Sequence, residues 1–391
     1  MAGKATIGIV VGTRPEAIKM APVYFALQER SHFNPLLIST GQHREMLAQV
    51  FTVFGLKPDI DLQLMTPGQA LPELTARVLT CMTDVLRREK PAAILVQGDT
   101  TTVLASSLAA FYERVPIGHV EAGLRTYNLE SPWPEEMNRR LSDPLARWCF
   151  APTEIARKNL LAEQIPADRI HVTGNTVIDA LLWVRRRQAG ETEPPMDRAR
   201  RCGLSATISH RFFGGEAEAS RRWILITGHR RESFGDGFSS ICRAILKIAE
   251  CHPDVGIVYP VHLNPNVREP VNRILGDHER IALIEPLGYE DFVWFMNRCY
   301  LLLSDSGGVQ EEAPSLGKPV LVMRDTTERP EGVSAGTSRL VGTDSEIIVR
   351  EVSQLLDNPN DYAARSRLQN PYGDGRAAGL IADILERDIA V

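Results

Sequence analysis

Short β-branched runs alternate with longer helical patterns along this chain, and the alternation restarts once, which constrains the fold more than any single motif does. In the first half TIGIVV precedes PEAIKMAPVYFALQER, AAILVQ precedes TTTVLASSLAAFYER, and PIGHV precedes a Pro-rich stretch and EEMNRRLSDPLARW. Strands that each return through a helix pair in parallel, so the pattern predicts βαβ units. The second half repeats it with WILITG, VGIVYPVH, IALIEP, YLLLSDSGG and PVLVM as strands between the helices FSSICRAILKIAECH, VREPVNRILG, EDFVWFMNRC and VQEEAPSLG. The expectation is an α/β protein of two Rossmann-like domains with a cleft between them, and 391 residues exceed one ordinary domain.

The first domain is expected over residues 1–184 and the second over 223–372. Between them, residues 185–222 carry clustered charge, Pro-Pro and Gly-Gly without apolar periodicity, and read as linker plus surface excursion. The last segment, 373–391, contains AAGLIADILERDIAV, an amphipathic helix with Leu380, Ile381 and Ile384 on one face that is expected to cross back to the first domain.

Composition narrows the function classes. A net charge of −5 offers nucleic acid no general attraction. The six cysteines are scattered without a CxxC pair, which speaks against zinc and a disulfide framework and for a reducing cytoplasm. The apolar run near the N-terminus is too short for a signal peptide or membrane span. Neither glycine run has the GxGxxG spacing, so NAD is not expected.

In open parallel sheets ligands bind at the carboxyl ends of strands, where strand order reverses, and that rule selects the residues to weigh. The first strand runs into Gly12-Thr13-Arg14-Pro15-Glu16, where Thr13 and Glu16 have capping-box spacing. Arg14 and Lys19 then lie at a positive helix end, a placement costing about 0.3–1 kcal/mol unless an anion is bound. Two solvated surface cations are the competing reading. Asp99 and Glu121 follow two further strands, and acids whose environments separate their proton affinities suit acid and base roles. Asp99 also reads as an N-cap for the following helix, whereas Glu121 among apolar and small residues lacks an easy structural role. His119 reads as a satisfied core histidine. Glu135 and Glu136 open a helix after Pro134, which fits an N1 position, and at least one of the two serves stability.

In the second half, Gly228-His229-Arg230-Arg231 at a strand end forms a compact site for phosphate oxygens. Ser306-Gly307-Gly308 opens a helix whose amides can approach a phosphate, with Glu312 one turn on able to accept ribose hydroxyls. The charged loop Arg324–Glu331 follows another buried strand.

Taken together, GTRPEAIKMAP, QHREML, QGDTTT, GHVEAGLRT, SPWPEEMNRR, GNTVIDAL, TGHRRESFG, YPVHLNPNV, SDSGGVQEEAPSLGKPVLVMR and TTERPE resemble the non-hydrolysing UDP-N-acetylglucosamine 2-epimerase family. The resemblance implies the GT-B-type fold, a homodimer, no cofactor and no catalytic metal. It implies that Asp99, Glu121, Glu135 and His229 are catalytic, and that Arg14, Lys19, Ser306, Gly307, Gly308, Glu312 and Arg329 hold the UDP portion, with Phe292 beside the uracil. It also implies reversible C2 epimerisation to UDP-N-acetylmannosamine by expulsion of UDP and re-addition to 2-acetamidoglucal. In some members a second substrate molecule activates the enzyme at positions matching Gln42, His43, Arg230 and His262. This sequence carries Glu45 and Gly68 where such members carry glutamine and arginine. A GT-B glycosyltransferase, a hydrolysing 2-epimerase and a non-catalytic nucleotide-sugar sensor would share the UDP site. The product would feed a surface polysaccharide, with no nucleic-acid or membrane partner.

Overall fold

A computed structural model describes residues 4–41, 44–64, 68–215, 221–276 and 278–389. Contacts divide the chain into two units, one of Met1–Trp183 with Tyr372–Val391 and one of Val184–Pro371.

In the first unit the strands are β1 (Ala5–Val11), β2 (Phe33–Ser39), β3 (Ile60–Asp61), β4 (Ala93–Gln97), β5 (Ile117–Val120), β6 (Trp148–Ala151) and β7 (Ile170–Val172). They pair in parallel in the order β3-β2-β1-β4-β5-β6-β7. Every residue of β4 and β5 is buried, as expected of strands covered by helices on both faces. Chain order reverses between β1 and β4, so the crevice for a ligand opens at the carboxyl ends of these two strands.

The second unit repeats the plan. Its strands β8 (Trp223–Thr227), β9 (Gly256–Pro260), β10 (Ile281–Ile284), β11 (Leu301–Ser304), β12 (Val320–Val322) and β13 (Ser338–Leu340) run in the order β10-β9-β8-β11-β12-β13. The reversal lies between β8 and β11. The α/β class and the two parallel sheets read from the sequence are thus present.

Two expectations change. The stretch 185–222 is not only linker and excursion, for it contains helices Pro195–Arg201 and Ala206–Phe213. Phe213 packs against Trp223, Trp294 and Phe295 with ring centroids 5.4–5.9 Å apart, and Phe212 fills the space over Gly256. Arg198 is buried there with its guanidinium between Asp291 and Glu191. Both helices are short, the first burying Arg198 and Ala199 and the second Ile208, Ser209, Phe212 and Phe213, so neither carries a long apolar period.

The C-terminal helix, Ala377–Ile389, does return to the first unit, against helix Arg14–Gln28, and of its expected face Ile381 is buried and Ile384 half-buried, but Leu380 is not. Ala378, Ile381, Ala382 and Leu385 are buried while Leu380 is 44% exposed. Small alanines let the two helices approach closely, so they outrank Leu380 as packing residues.

Candidate active site

Past β1 the chain turns at Gly12 into helix Arg14–Gln28. A Cβ on Gly12 would lie 2.4 Å from the Thr102 hydroxyl and 2.6 Å from that of Thr40, so only glycine fits this approach. The Glu16 carboxylate reaches back to the Thr13 N–H at 2.7 Å and accepts from the Gly12 N–H and the Thr100 hydroxyl. Burial raises its proton affinity against those hydrogen bonds. Its oxygens are spent on bracing the loop after β1 to the loop after β4, so Glu16 is a cap. Arg14 and Lys19 lie on the first turns of this helix, both half-buried.

Lys19 does not project to solvent. Its ammonium donates to both oxygens of Glu121, at 2.8 and 2.6 Å. Gln97, the last residue of β4, donates its amide to the same carboxylate, and the Asn175 amide lies 3.5 Å away. Glu121 is 8% exposed and has φ +66°, a left-handed conformation that costs a non-glycine residue about 1–2 kcal/mol. Side chains from three other elements thus hold a strained carboxylate in place, the kind of stored strain found at functional positions.

Asp99 follows β4. The expectation that it caps the next helix is corrected, because Thr100 is the N-cap, accepting from the Val103 N–H at 3.3 Å. The Asp99 carboxylate instead meets the Arg139 guanidinium at 2.5 Å, and its carbonyl accepts from Asn138 at 2.9 Å. Both partners lie on helix Glu135–Ser142, so this helix is tied to Asp99 and brings Glu135, half-buried at its first position, to the same sheet edge. Pro134 is the N-cap residue rather than N1. The neighbouring glutamates now separate, since buried Glu136 accepts the N–H groups of Thr126 and Tyr127 at 3.0 Å and pairs with Arg139 at 3.2 Å, a structural duty.

Beneath these acids His119 is fully buried, with Nδ1 2.6 Å from Asp143 and Nε2 2.7 Å from the Gly98 carbonyl. Asp143 also accepts from Arg125 at 2.6 Å. Burial opposes a charged imidazole, but Asp143 and Gly98 outweigh it and raise His119 above its ordinary value. Burial likewise favours a neutral Asp143, yet His119 and Arg125 hold it below the usual carboxylate range.

In the second unit Asp305, just past β11, accepts the N–H groups of His229 and Arg230 at 2.6 and 2.7 Å, which clamps the loop after β8. The His229 ring stacks on His262 with centroids 5.2 Å apart, and its Nδ1 lies 3.6 Å from Asp305. Burial lowers its proton affinity against Asp305, with His262 and Arg230 adding to the effect. Ser306 precedes helix Gly307–Glu312. A Cβ on Gly307 would sit 3.6 Å from the Arg329 guanidinium and one on Gly308 3.7 Å from the Glu312 carboxylate, so these four residues are gathered together. Glu312 accepts from the Tyr289 hydroxyl at 2.8 Å, and Tyr289 shares helix Tyr289–Arg298 with half-buried Phe292. Arg329 is also ion-paired with buried Glu311.

The structure therefore groups Lys19, Asp99 and Glu121 at one sheet edge, with Glu135 opening the helix tied to Asp99, and His229, Arg230 and His262 at another, with Ser306, Gly307, Gly308, Glu312 and Arg329 around one helix start and Phe292 on the helix of Tyr289. Gln42 and His43 lie outside the described residues. Sequence reasoning missed Gln97, Arg139, Asn175, Asp143 and Asp305. Of these only Arg139 carried a signal, one helical turn beyond Glu135.

Residues 25–386 match the family described as UDP-N-acetylglucosamine 2-epimerase. The UDP-N-acetylglucosamine 2-epimerase of Salmonella typhimurium is 57% identical over 377 residues, covering 96% of this chain and 97% of that protein. That of Escherichia coli K12 is 56% identical over 379 residues, with 97% and 98% covered. The crystal structure of the Neisseria meningitidis UDP-GlcNAc 2-epimerase bound to UDP-GlcNAc superposes with a TM-score of 0.87 at 48% identity, covering 98% of this chain and all of that one. A glycosyltransferase from Rickettsia africae, 13% identical, shares the fold at a TM-score of 0.61, with 98% of each chain covered. Identity above one half over nearly the whole length leaves one conclusion, that the chain belongs to the UDP-N-acetylglucosamine 2-epimerase family.

Proposed function

We propose that the protein interconverts UDP-N-acetylglucosamine and UDP-N-acetylmannosamine at C2 by eliminating UDP and adding it back. The observation that carries this reading is the pair of acids at adjacent strand ends, Asp99 and Glu121, each held by a cation from a different helix, Arg139 and Lys19. The C2 proton is not adjacent to a carbonyl, so enolisation is closed. Breaking the C1–O bond, with its electron pair leaving on UDP, builds positive charge that makes C2 acidic. One carboxylate of the set Asp99, Glu121 and Glu135 takes the C2 proton as the C1=C2 bond of 2-acetamidoglucal forms. UDP then re-adds to C1 while another acid protonates C2 from the opposite face, and exchange with solvent resets both acids.

The UDP portion belongs to Ser306, Gly307, Gly308, Glu312, Arg329 and Phe292, with His229 and Arg14 stabilising the departing diphosphate. No step in this scheme uses a cofactor or metal. Re-addition before release makes the enzyme non-hydrolysing. The binding of UDP-GlcNAc by the Neisseria relative supports the substrate assignment.

The same reading makes the protein a cytoplasmic homodimer. All six cysteines are free thiols, and among the described residues no helix is long and apolar enough to cross a membrane. Light scattering on the purified protein tests the dimer. NMR of purified protein with UDP-N-acetylglucosamine in D₂O tests the reaction. Deuterium at C2 of both epimers is expected, whereas free N-acetylmannosamine would identify a hydrolase, acceptor-dependent transfer a glycosyltransferase, and an unchanged, unlabelled pool a sensor.

A further inference from the structure

The fully buried His119 imidazole lies between acceptors on both sides. Asp143 Oδ1 is 2.6 Å from Nδ1 and the Gly98 carbonyl is 2.7 Å from Nε2. A neutral imidazole has one N–H, and its bare nitrogen would face a carbonyl or carboxylate lone pair. With Asp143 also accepting from Arg125 and so kept ionised, two hydrogen bonds of these lengths require two N–H groups. Charges of opposite sign alternate from the ring outward, because Asp143 accepts from Arg125 at 2.6 Å, Arg125 donates to Glu163 at 2.9 Å, and Glu163 faces Arg140 at 3.3 Å. These charges and the buried Cys149 thiol, 3.7 Å from the Asp143 carbonyl, are the ionisable neighbours of the pair.

The carbonyl that His119 grips belongs to Gly98, at φ +80° immediately before Asp99. Glycine alone does not set such a turn, since it visits many conformations at similar cost. With the Gly98 carbonyl, the Asp99 carbonyl and the Asp99 carboxylate each tied to a different side chain, the acid has one direction left to point.

We propose that His119 is a positioning residue for Asp99, a doubly protonated imidazole neutralised by Asp143 that pins the Gly98 carbonyl and so aims the Asp99 carboxylate. The proposal rests on the epimerase reading for what Asp99 does, but not for the state of the ring.

The test begins with ¹⁵N-histidine spectra of the full-length protein, His119 being assigned by its loss in His119→Gln. Both ring nitrogens should stay protonated as pH rises through the ordinary histidine range, where exposed imidazoles lose a proton. A bare nitrogen at about pH 7 overturns the proposal. In kinetics, His119→Phe keeps bulk but has no donor, and misplacing an acid by about 1 Å can cost about 100-fold in rate, so kcat should fall about 100-fold with KM within about threefold. His119→Gln can still reach the Gly98 carbonyl and should recover about tenfold of that loss. Equal loss in both variants, or a folded His119→Phe variant within about threefold of the parent kcat, overturns it.

Asp143→Asn covers the case in which His119→Phe does not fold. It leaves the ring in place without its counter-charge, so His119 should lose its proton at lower pH than in the parent protein and kcat should fall as pH rises. A profile matching the parent protein overturns the proposal. A parent protein that does not turn over UDP-N-acetylglucosamine overturns the functional reading instead, and the nitrogen signals still decide the state of the ring.

Discussion

Asp179 gives the attachment of the C-terminal helix a pH dependence of unusual sign. Its carboxylate is 7% exposed and accepts the N–H groups of Ala377 and Ala378, at 3.3 and 3.0 Å, where helix Ala377–Ile389 begins. Burial raises its pKa to about 6, against those two N–H bonds, with Asp374 adding to the rise. The unfolded value is about 3.9, so the folded state prefers the protonated acid. Stability from this group is fully present below about pH 3.9 and is lost as pH rises through about 6. Between pH 5 and pH 7.5 the loss is about 1.4 kcal/mol, a roughly tenfold change in the equilibrium for releasing the helix. Hydrogen exchange of residues 377–389, corrected for intrinsic rates, measures it. Protection in the parent protein should fall about tenfold over that interval, and in Asp179→Asn, which has no proton to lose, it should not. Parent protection that is flat with pH, or an Asp179→Asn variant showing the same fall, would refute the reasoning.

Other consequences are simpler to read. Asp99→Asn and Glu121→Gln should each lower kcat by about 10²–10⁴ with KM nearly unchanged, as measured by NMR of the epimerisation. Arg139→Ala leaves buried Glu136 and the Asp99 carboxylate without their shared guanidinium, so a loss of about 3–5 kcal/mol in denaturant unfolding is expected together with reduced activity. Gly12→Ala drives a methyl into the Thr102 and Thr40 hydroxyls and should cost about 1–3 kcal/mol, seen as a lower Tm. Arg329→Ala should weaken UDP binding by about 1.5–3 kcal/mol in calorimetry, because a charged donor to the diphosphate is lost.

Strands buried on both faces were legible because they are continuous apolar runs, and β1, β4, β5 and β8 begin and end within about one residue of where those runs predict, while β11 stops at Ser304, short of the SDSGG turn read with it. Less legible was β2, whose FNPLLIS contains a proline and an asparagine. Helix Ala206–Phe213 was missed because its buried face, Ile208, Ser209, Phe212 and Phe213, is little more than one turn long and includes a polar residue. At the site, residue types at strand ends pointed to Asp99, Glu121 and His229. What they could not reveal was pairing across chain separations of 40 and 102 residues, such as Arg139 with Asp99 and Lys19 with Glu121. Lys19, expected to hold UDP, was therefore not linked to Glu121, with which it pairs.

Those long-range pairings also separate acids that brace from acids assigned to chemistry. Both crevices are closed by a carboxylate crossing from one strand end to the other, Glu16 from the loop after β1 to Thr100 and Asp305 from the end of β11 to His229 and Arg230. In each, backbone N–H groups occupy the carboxylate, and such donors cannot swing away when a substrate arrives. Glu136 and Asp179 are held in the same manner. Asp99 and Glu121 differ, since side chains hold their carboxylates, an arginine for one and a lysine with two amides for the other. Side chains that turn about single bonds can follow a carboxylate through a change of charge, whereas a peptide group cannot without moving the fold. Within the crevice a buried acid bonded to the backbone therefore holds the shape, and one held by side chains can pass a proton while its partners follow it.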